Sequence, residues 1–576
     1  MERMDLKEIK VTPVWKLLER GENYHRRTGI YTDTDKNYRF YNDDQWSGAK
    51  LGDVEPIQNN FIKPIVKYKL AVIHANLYSI VFRSMNYEDP VFRREAGRYC
   101  NILNGYAEKV WELGKLDLLC RKMTKDAAIN SEGIMHVFFD KDSGMPVCEV
   151  IDKCDVYYGD ENNENLQEQP YILIRRRMDV AAAVEFAKAR GITGSKLDLI
   201  VGDNDNAEGA GDAAKEELDG KCYVVYKYYK DAGSVKCDIA TKHVEIRVGM
   251  ELGISLYPIA HMVWESAKGS ARGAGEVKTL IPSQIEVNRI AIRRAIVVKS
   301  EAYPRTVVNT RYVENPDDID RVGSVIEIDS QSADDVNKII AILKPAQISS
   351  DVKLLQDDLI ALSRELAGAG EAATGQIDPA SSNVSGKAII AIQSAAQAPM
   401  TEQKESFKFF IEDLANIWLE FLIANSEDGI NLEETVPENK TGEEEIQLVK
   451  INAEILRRLK ARVRIDITPK SPYDKFALEQ TIENLLTSGL LSPQRVAELE
   501  IYANLLDDDS VAPKQKILEA VAMIRKKMAE MAQIQSQAEI LEAGAQRYLG
   551  GDPISQAQQR NAARQRAMQR AAVANQ

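Results

Sequence analysis

The sequence lacks the patterns of a recognisable nucleotide or metal site. No GxxxxGK[ST] run occurs, because ITGSK (192–196) and SGKA (385–388) have no glycine at the required upstream position. The five histidines form no HExxH motif, and the six cysteines show no CxxC spacing. Abundant Asp and Glu form no cluster with metal-ligand spacing. We therefore predict reduced thiols, no metal, no cofactor and no catalytic residue, so that the protein is not an enzyme.

Long apolar runs and an excess of basic residues are also missing. No run approaches the ~18 apolar residues of a membrane-spanning helix, and the first residues, MERMDLKEIK, lack the apolar segment of a signal peptide. These absences predict no membrane contact and a cytoplasmic location. The net charge of −14 argues against a protein that reads DNA sequence through a basic face. It does not exclude a protein that handles DNA without holding it.

The first half of the chain combines helical and strand patterns. Residues 64–85 and 91–129 read as helices, and IMHVFFD and VCEVID flank a turn, KDSGMP, that predicts a β-hairpin. Further strands are expected up to about residue 265. The acidic, Gly-rich residues 202–220 read as a surface excursion. The sequence thus predicts an α+β fold that is mainly helical.

Two helices of similar length flank a compact segment of short strands. The first is expected over 283–303, because Ser283 and Glu286 have the spacing of a capping box. The second, over 351–368, carries apolar residues three and four positions apart: Val352, Leu355, Leu359, Leu362 and Leu366. This stripe suits either the core of one chain or packing between subunits, and the pattern leaves both open.

Two Gly-rich stretches border these helices. GSARGAGE (269–276) does not have the GxGxxG spacing and reads as a flexible linker in preference to a nucleotide site. GAGEAATGQIDPASSNVSGKAIIAIQ (368–393) separates the second helix from a long helix over 387–425, in which Pro399 predicts a kink. The basic tail, with Arg560, Arg564, Arg566 and Arg570, suits a disordered extension better than a contact with phosphates.

Several short motifs occur in an order that resembles the portal proteins of tailed double-stranded DNA bacteriophages. YNDDQWSG (41–48) and NNFIKPIVKYKLAVIHAN (59–76) are similar to that family's N-terminal segments. YPIAHMVWE with GAGEVKTLIPSQIEVNR resembles the approach to its first stem helix, and SNVSGKAIIAIQSAAQAPM resembles the start of its long kinked helix. VIDKCDVYYGDENNENLQEQPYILIRRRM and DITPKSPYDKFALEQTIENLLTSGLLSP are similar to two further segments. Each motif is weak alone, and their shared order carries the resemblance.

The resemblance implies a ring subunit with a wing, stem, clip and crown. On this sequence the segments would be the wing (1–282), stem helix 1 (283–304), the clip (305–346), stem helix 2 (347–369), a tunnel loop (370–386), the kinked long helix with a return to the wing (387–470), crown helices (471–551) and a Gln/Ala/Arg-rich tail (552–576).

The resemblance also implies roles for particular residues. The tunnel loop would face DNA in the channel through Glu371, Thr374, Gln376, Asp378, Ser381, Ser382 and Asn383. The first stem helix offers Arg289, Arg293 and Arg294 as channel candidates. The clip would dock the terminase and neck proteins through Arg311, Tyr312, Glu314, Asp317, Asp318 and Asp320.

The function implied is that of a portal protein at one capsid vertex. About twelve copies would form a ring that conducts double-stranded DNA, without sequence specificity, during packaging and ejection. Expected partners are the terminase large subunit, neck or adaptor proteins, and the major capsid and scaffold proteins. The location would be the virion, with the host cytoplasm during assembly. The alternatives are a neck adaptor or scaffold component and, with less support, a DNA-processing enzyme.

Overall fold

The computed structural model describes most of the first 469 residues. The described residues are 10–50, 55–85, 90–203, 220–302, 305–313, 315–318, 325, 327, 340–343, 350–370, 398–427, 429–437, 444–469, 523, 561 and 562. The chain divides into two compact units, Met1–Thr468 and Pro469–Gln576. The predicted crown helices (471–551) and tail (552–576) therefore fall almost entirely outside the described residues, and so do 204–219 of the acidic excursion.

The described part is an α+β protein, as the sequence predicts. Its α-helices are α1 (Pro13–Thr28), α2 (Ile30–Tyr41), α3 (Ile62–Ile73), α4 (Pro90–Leu113), α5 (Leu116–Asn130), α6 (Val180–Ala189), α7 (Glu276–Ala302), α8 (Ser350–Leu366), α9 (Thr401–Asn425) and α10 (Ala453–Leu459). None of these helices has the length and apolar character needed to cross a membrane.

The strands run from β1 to β16 in chain order. They are β1 (Asn76–Ser84), β2 (Glu132–Asp140), β3 (Met145–Ile151), β4 (Val156–Tyr158), β5 (Ile172–Asp179), β6 (Lys221–Asp231), β7 (Ser234–Ala240), β8 (Glu245–Glu251), β9 (Ile259–Val263), β10 (Glu265–Ala267), β11 (Ser270–Ala274), β12 (Arg305–Val308), β13 (Ile340–Leu343), β14 (Ile430–Pro437), β15 (Glu444–Ile451) and β16 (Ala461–Pro469).

The strands form one sheet of five, one sheet of three and four pairs. The larger sheet has the order β4-β5-β6-β7-β8 and the smaller β3-β2-β9, both antiparallel. Three pairs are antiparallel and join strands that are consecutive in the list above, β10-β11, β12-β13 and β14-β15, whereas β1 pairs with the distant β16. The hairpin predicted around KDSGMP is confirmed as β2 and β3.

The main core lies between the three-stranded sheet and helices α5 and α9. On the long helix, apolar residues at spacings of three and four predict one buried stripe, and the structure confirms it because every member is buried in α9: Phe407, Phe410, Ile411, Leu414, Trp418 and Phe421. A smaller core joins α1 to the five-stranded sheet through Trp15, Leu18 and Tyr157. Burying an apolar side chain of this size contributes about 1.5–3 kcal/mol, so the two cores hold the sheets and helices of this unit together.

The predicted helix over 64–85 is wrong in its second half. Helix α3 ends at Ile73, and the chain continues as β1. Ile80 and Phe82 alternate toward the core, and β-branched and aromatic residues suit a strand. The backbone N–H of Phe82 donates to Asn104 Oδ1 at 2.7 Å. Since β16, the partner of β1, lies far along the chain, local periodicity does not reveal the pairing.

The flexible-linker interpretation of GSARGAGE is also wrong. Most of this stretch forms the second strand of the β10-β11 hairpin, and the turn places Gly269 at a φ of +70°. Gly275, which follows the hairpin, lies so close to α5 that a Cβ there would be 2.7 Å from the backbone nitrogen of Ser131. The glycines therefore serve a tight turn and a close backbone approach.

Candidate functional site

Helix α7 begins at Glu276, seven residues before the predicted start at Ser283. The Glu276 carboxylate forms a buried ion pair with Lys69 Nζ at 2.6 Å and accepts a hydrogen bond from Trp264 Nε1 at 3.2 Å. Pro282 lies inside the helix and is exposed. The predicted start of this helix at Ser283 is wrong because these tertiary contacts fix an earlier start than the local capping pattern indicates.

Buried amides connect α7 to two segments of the N-terminal region. Gln284 Oε1 accepts from the backbone N–H of Phe61 at 3.0 Å, and Gln284 Nε2 donates to the carbonyl of Asn59 at 2.9 Å. Asn288 Nδ2 donates to Gln45 Oε1 at 2.6 Å. Gln45 belongs to YNDDQWSG, Asn59 to NNFIKP and Gln284 to PSQIEVNR. Two neighbouring N-terminal motifs and one motif of α7, more than 200 residues later, thus form one polar network.

Helix α8 packs beside α7, but not through the predicted leucine stripe. Its buried residues are Gln356 and Ser363, and Gln356 Oε1 accepts from Arg294 Nη1 at 2.7 Å. Val352 and Leu359 of the stripe are half-buried, whereas its other three members are exposed. The interpretation of this stripe as part of the core of one chain is therefore wrong.

The three exposed members of the stripe form one apolar face on α8. Leu355, Leu362 and Leu366 are 51%, 53% and 80% exposed, and their spacings of seven and four residues place them on one side of the helix. Asp358 and Glu365, both exposed, border this face. We call it the α8 apolar face. In the described part of the chain, no element covers it.

The three arginines predicted to line a channel do not share one face of α7. Arg289 and Arg293 are exposed, and both lie near the carboxylate of Glu286, at 3.4 Å and 3.9 Å. Arg294 turns instead toward Gln356 of α8. The side of α7 that carries Arg289 and Arg293 is therefore cationic, whereas Arg294 holds the two helices together.

The predicted clip is described only in part. Strands β12 and β13 pair with Arg305 opposite Leu343 and Val308 opposite Ile340, beyond the end of α7 and before the start of α8. Arg311 and Asp317 are exposed and Tyr312 is half-buried. Asp318 lies in the 3-10 turn Pro316–Asp318. Glu314 and Asp320 lie outside the described residues.

The predicted tunnel loop also lies outside the described residues, with all seven of its candidates: Glu371, Thr374, Gln376, Asp378, Ser381, Ser382 and Asn383. The residues that flank it are close together, since a Cβ on Gly368 would lie 3.4 Å from Pro399 Cβ.

Pro399 occupies a short 3-10 turn, Ala398–Met400, and α9 begins directly after it at Thr401. Within the described ranges, Pro399 thus precedes the α-helix and does not interrupt it. Residues 387–397, which the expected kinked helix would require, lie outside these ranges.

A buried ionic cluster centred on Arg272 was missed by sequence reasoning. The Arg272 guanidinium contacts Glu132 at 2.5 Å and Glu161 at 2.7 Å, and its Nη2 lies 2.9 Å from His25 Nε2. His261 Nε2 lies 3.0 Å from the other oxygen of Glu132. Because a guanidinium only donates, His25 Nε2 accepts, and the proton of the neutral ring is on Nδ1. An arginine next to Gly273, in a Gly-rich stretch, gave no periodic pattern that could have indicated its burial.

The pKa values show that these charges compensate one another. Burial alone would raise the pKa of Glu132, but Arg272 and His261 outweigh it and lower the pKa to about 2. Burial lowers the pKa of His25 to about 4. Glu132 is thus a carboxylate and His25 is neutral at pH 7, and each already contacts a partner in the cluster. This arrangement suits a structural junction between β2, β11 and α1 better than acid–base chemistry.

The remaining chemistry-bearing residues likewise point to structural roles. All six cysteines are free thiols, and burial raises the pKa of Cys148 and Cys154 to about 12, which disfavours the reactive thiolate. Among the residues that the structure describes, no three His, Cys, Asp or Glu side chains are grouped to hold a metal ion.

No protein-family model matches the chain. No curated protein matches it either.

Proposed function

We propose that this chain is a portal-type ring subunit that conducts double-stranded DNA through a capsid vertex. The observation that carries the proposal is the α8 apolar face, which lies on a two-helix hairpin whose connection contains the β12-β13 pair. A helix that contacts one neighbour through Gln356 and Ser363 while leaving three leucines exposed needs a second neighbour. Burying each leucine there would contribute about 2 kcal/mol to association.

The charges on the hairpin favour a second copy of the same chain as this neighbour. Arg289 and Arg293 make one side of α7 cationic, whereas Asp358 and Glu365 make the border of the α8 apolar face anionic. Two different, complementary surfaces on one subunit give a head-to-tail contact, and such contacts close into a ring when the rotation between subunits allows it. The resemblance to portal proteins implies that about twelve copies form this ring.

The DNA-conducting role follows from the resemblance together with the charge. A ring of chains with net charge −14 would repel phosphates over about 8 Å at physiological salt, so that DNA could slide without being held. Residues 370–386 would form the tunnel loop in the channel, and the clip would dock the terminase large subunit and the neck proteins. The energy for packaging would then come from the terminase and not from this chain.

Ring assembly can be tested with Leu362→Lys. The purified wild-type chain should form rings of about twelve subunits in negative-stain images and in light scattering after gel filtration. Leu362→Lys should give monomers, because it places a charge in each apolar contact, whereas the matched control Leu118→Lys, at a 65% exposed leucine of α5, should still form rings. Rings that persist with Leu362→Lys, or a monomeric wild type under assembly conditions, would refute the assigned contact.

The DNA-conducting role needs a separate measurement. Deleting residues 374–384 should leave rings intact but reduce DNA packaging or retention in an infection assay with a complementing portal gene. Normal packaging and retention by such rings would exclude the tunnel-loop assignment. Rings that never join a capsid vertex would instead support a neck adaptor, and nucleotide or DNA hydrolysis by the purified chain would support an enzyme.

A further inference from the structure

A groove rich in cations lies between the β1-β16 pair and helix α9. It has a volume of about 380 Å³, and four of its eight lining residues are cations, namely Arg83, Lys408, Arg462 and Arg464. Glu412 supplies the one carboxylate of the lining. The groove is therefore locally positive, although the whole chain carries a charge of −14.

The alternation of β16 accounts for the exposed arginines. Val463 and Ile465 are buried, so Arg462 and Arg464 lie on the opposite, solvent-facing side of the strand. Arg83, also exposed, comes from the paired strand β1. Three guanidinium groups from two neighbouring strands are thus presented at the same groove.

Most of these cations have no partner in the described part of the chain. No hydrogen bond or ion pair joins the side chain of Arg83, Lys408 or Arg462 to another described residue, and Arg464 pairs only with the exposed Asp466 at 3.1 Å. Even Lys408 and Glu412, four residues apart on α9, do not form an ion pair. Cations that are gathered but uncompensated favour an anionic ligand.

The remaining lining distinguishes between classes of anion. Met85, which is 45% exposed, gives the groove an apolar part, whereas the side chains of Val463 and Ile465 are buried on the other side of β16. Tight binding of nucleic acid commonly uses about 6–10 phosphate contacts along an extended basic track. This groove offers four cations in one concave site, with a nearby carboxylate and a strongly acidic chain around it. A short ligand that combines carboxylates with apolar groups therefore fits it better than a nucleic acid does.

We propose that the groove binds a short acidic peptide segment of a partner protein, one in which Asp or Glu alternates with apolar residues. The guanidinium groups of Arg83 and Arg462 would bind carboxylates, since their fork geometry matches a carboxylate. Met85 would contact an apolar residue of the segment. This proposal is independent of the ring assignment, because none of these residues belongs to α7 or α8.

The test uses the full-length chain and a fluorescein-labelled peptide of eight alternating Glu and Leu residues, followed by fluorescence anisotropy. The double variant R83Q/R462Q should bind this peptide on the order of tenfold more weakly than the wild type, since two charge-assisted contacts are lost. R20Q, which removes an exposed arginine of α1, should bind like the wild type. Circular dichroism of all three proteins should coincide, because the substituted side chains are exposed.

Three results would overturn the proposal. The first is equal affinity of the wild type and R83Q/R462Q for the Glu-Leu peptide. The second is equal affinity of the wild type for the Glu-Leu peptide and for a Lys-Leu peptide of the same length. The third is displacement of the Glu-Leu peptide by a single-stranded oligonucleotide that binds more tightly through the same two arginines, which would make the groove a phosphate site. Ring assembly, measured in parallel, should be the same for all three proteins, so failure here is distinct from failure of the portal assignment.

Discussion

His136 should make the three-stranded sheet sensitive to acid. The ring is buried in β2, where Nδ1 accepts from Arg176 Nη2 at 3.0 Å and Nε2 lies 2.8 Å from the hydroxyl of Tyr228. Because the guanidinium only donates, Nδ1 is unprotonated and Nε2 carries the proton that it donates to Tyr228. Burial, and then the charge of Arg176, lower the pKa of His136 from 6.5 to about 3. A second proton would therefore be placed in a buried site beside a cation.

The direction of the pH effect follows from this lowered pKa. As the pH falls, the unfolded chain takes up the proton first, near pH 6.5, while the folded chain resists until about pH 3. The stability that the neutral His136 ring contributes is thus fully present above pH 6.5, declines as the pH falls and is fully lost below pH 3. Between pH 7 and pH 4, the contribution of His136 to the free energy of unfolding should fall by about 3 kcal/mol, since about 2.5 pH units lie between 6.5 and 4 and each is worth about 1.36 kcal/mol.

The variant His136→Gln isolates this contribution. It keeps an amide that can both donate and accept but has no group that titrates, so its stability should change about 3 kcal/mol less than that of the wild type between pH 7 and pH 4. Urea titrations at both pH values, followed by hydrogen exchange of peptides covering β2, measure the difference. The control is His243→Gln, at a half-buried position. An unchanged pH dependence in His136→Gln would refute the neutral, buried state inferred for His136.

Two further predictions concern the start of α7. Lys69→Met should destabilise the first turns of α7 by about 3–5 kcal/mol, because it leaves the Glu276 carboxylate buried without its cation. Hydrogen exchange of α7 peptides measures this loss of stability. The control Lys278→Met removes an exposed ion pair on the same helix and should destabilise it by less than about 1 kcal/mol. Equal effects of the two variants would show that the Lys69 pair is not buried in solution. Gly275→Ala should lower the free energy of unfolding, measured with urea, by about 1–3 kcal/mol, because the new Cβ would collide with backbone atoms. The control Gly97→Ala, at a position of α4 with open space around it, should be neutral or stabilising.

The sequence predicted elements well where the information is local. The turn in KDSGMP fixes the β2-β3 hairpin within about twenty residues, and the apolar stripe of α9 shows directly which side of that helix is buried. Both patterns depend on neighbours in the chain, for which turn chemistry and helical periodicity are sufficient.

The errors concern contacts between distant residues. β1 is a strand because β16, nearly 400 residues later, pairs with it, and α7 starts early because Lys69 neutralises Glu276. Arg272 lies in a stretch that reads as a linker, yet it is the centre of a buried cluster formed by four separate segments. A single sequence gives no direct information about such pairings, because each half of the contact is locally ordinary.

The leucine stripe of α8 shows how a pattern can be right about composition and wrong about its partner. The 3-4 spacing identified an apolar side of the helix, but Gln356 and Ser363, and not Leu355 or Leu362, are the residues buried beside α7. A polar side chain such as Gln356 can be buried against α7 because Arg294 satisfies its carbonyl, which removes the cost of an unpaired polar group. The leucines are then left exposed on the described part of the chain. A polar, hydrogen-bonded contact between α7 and α8, with an apolar face on the outer side of α8, is the division that the proposed ring subunit would require.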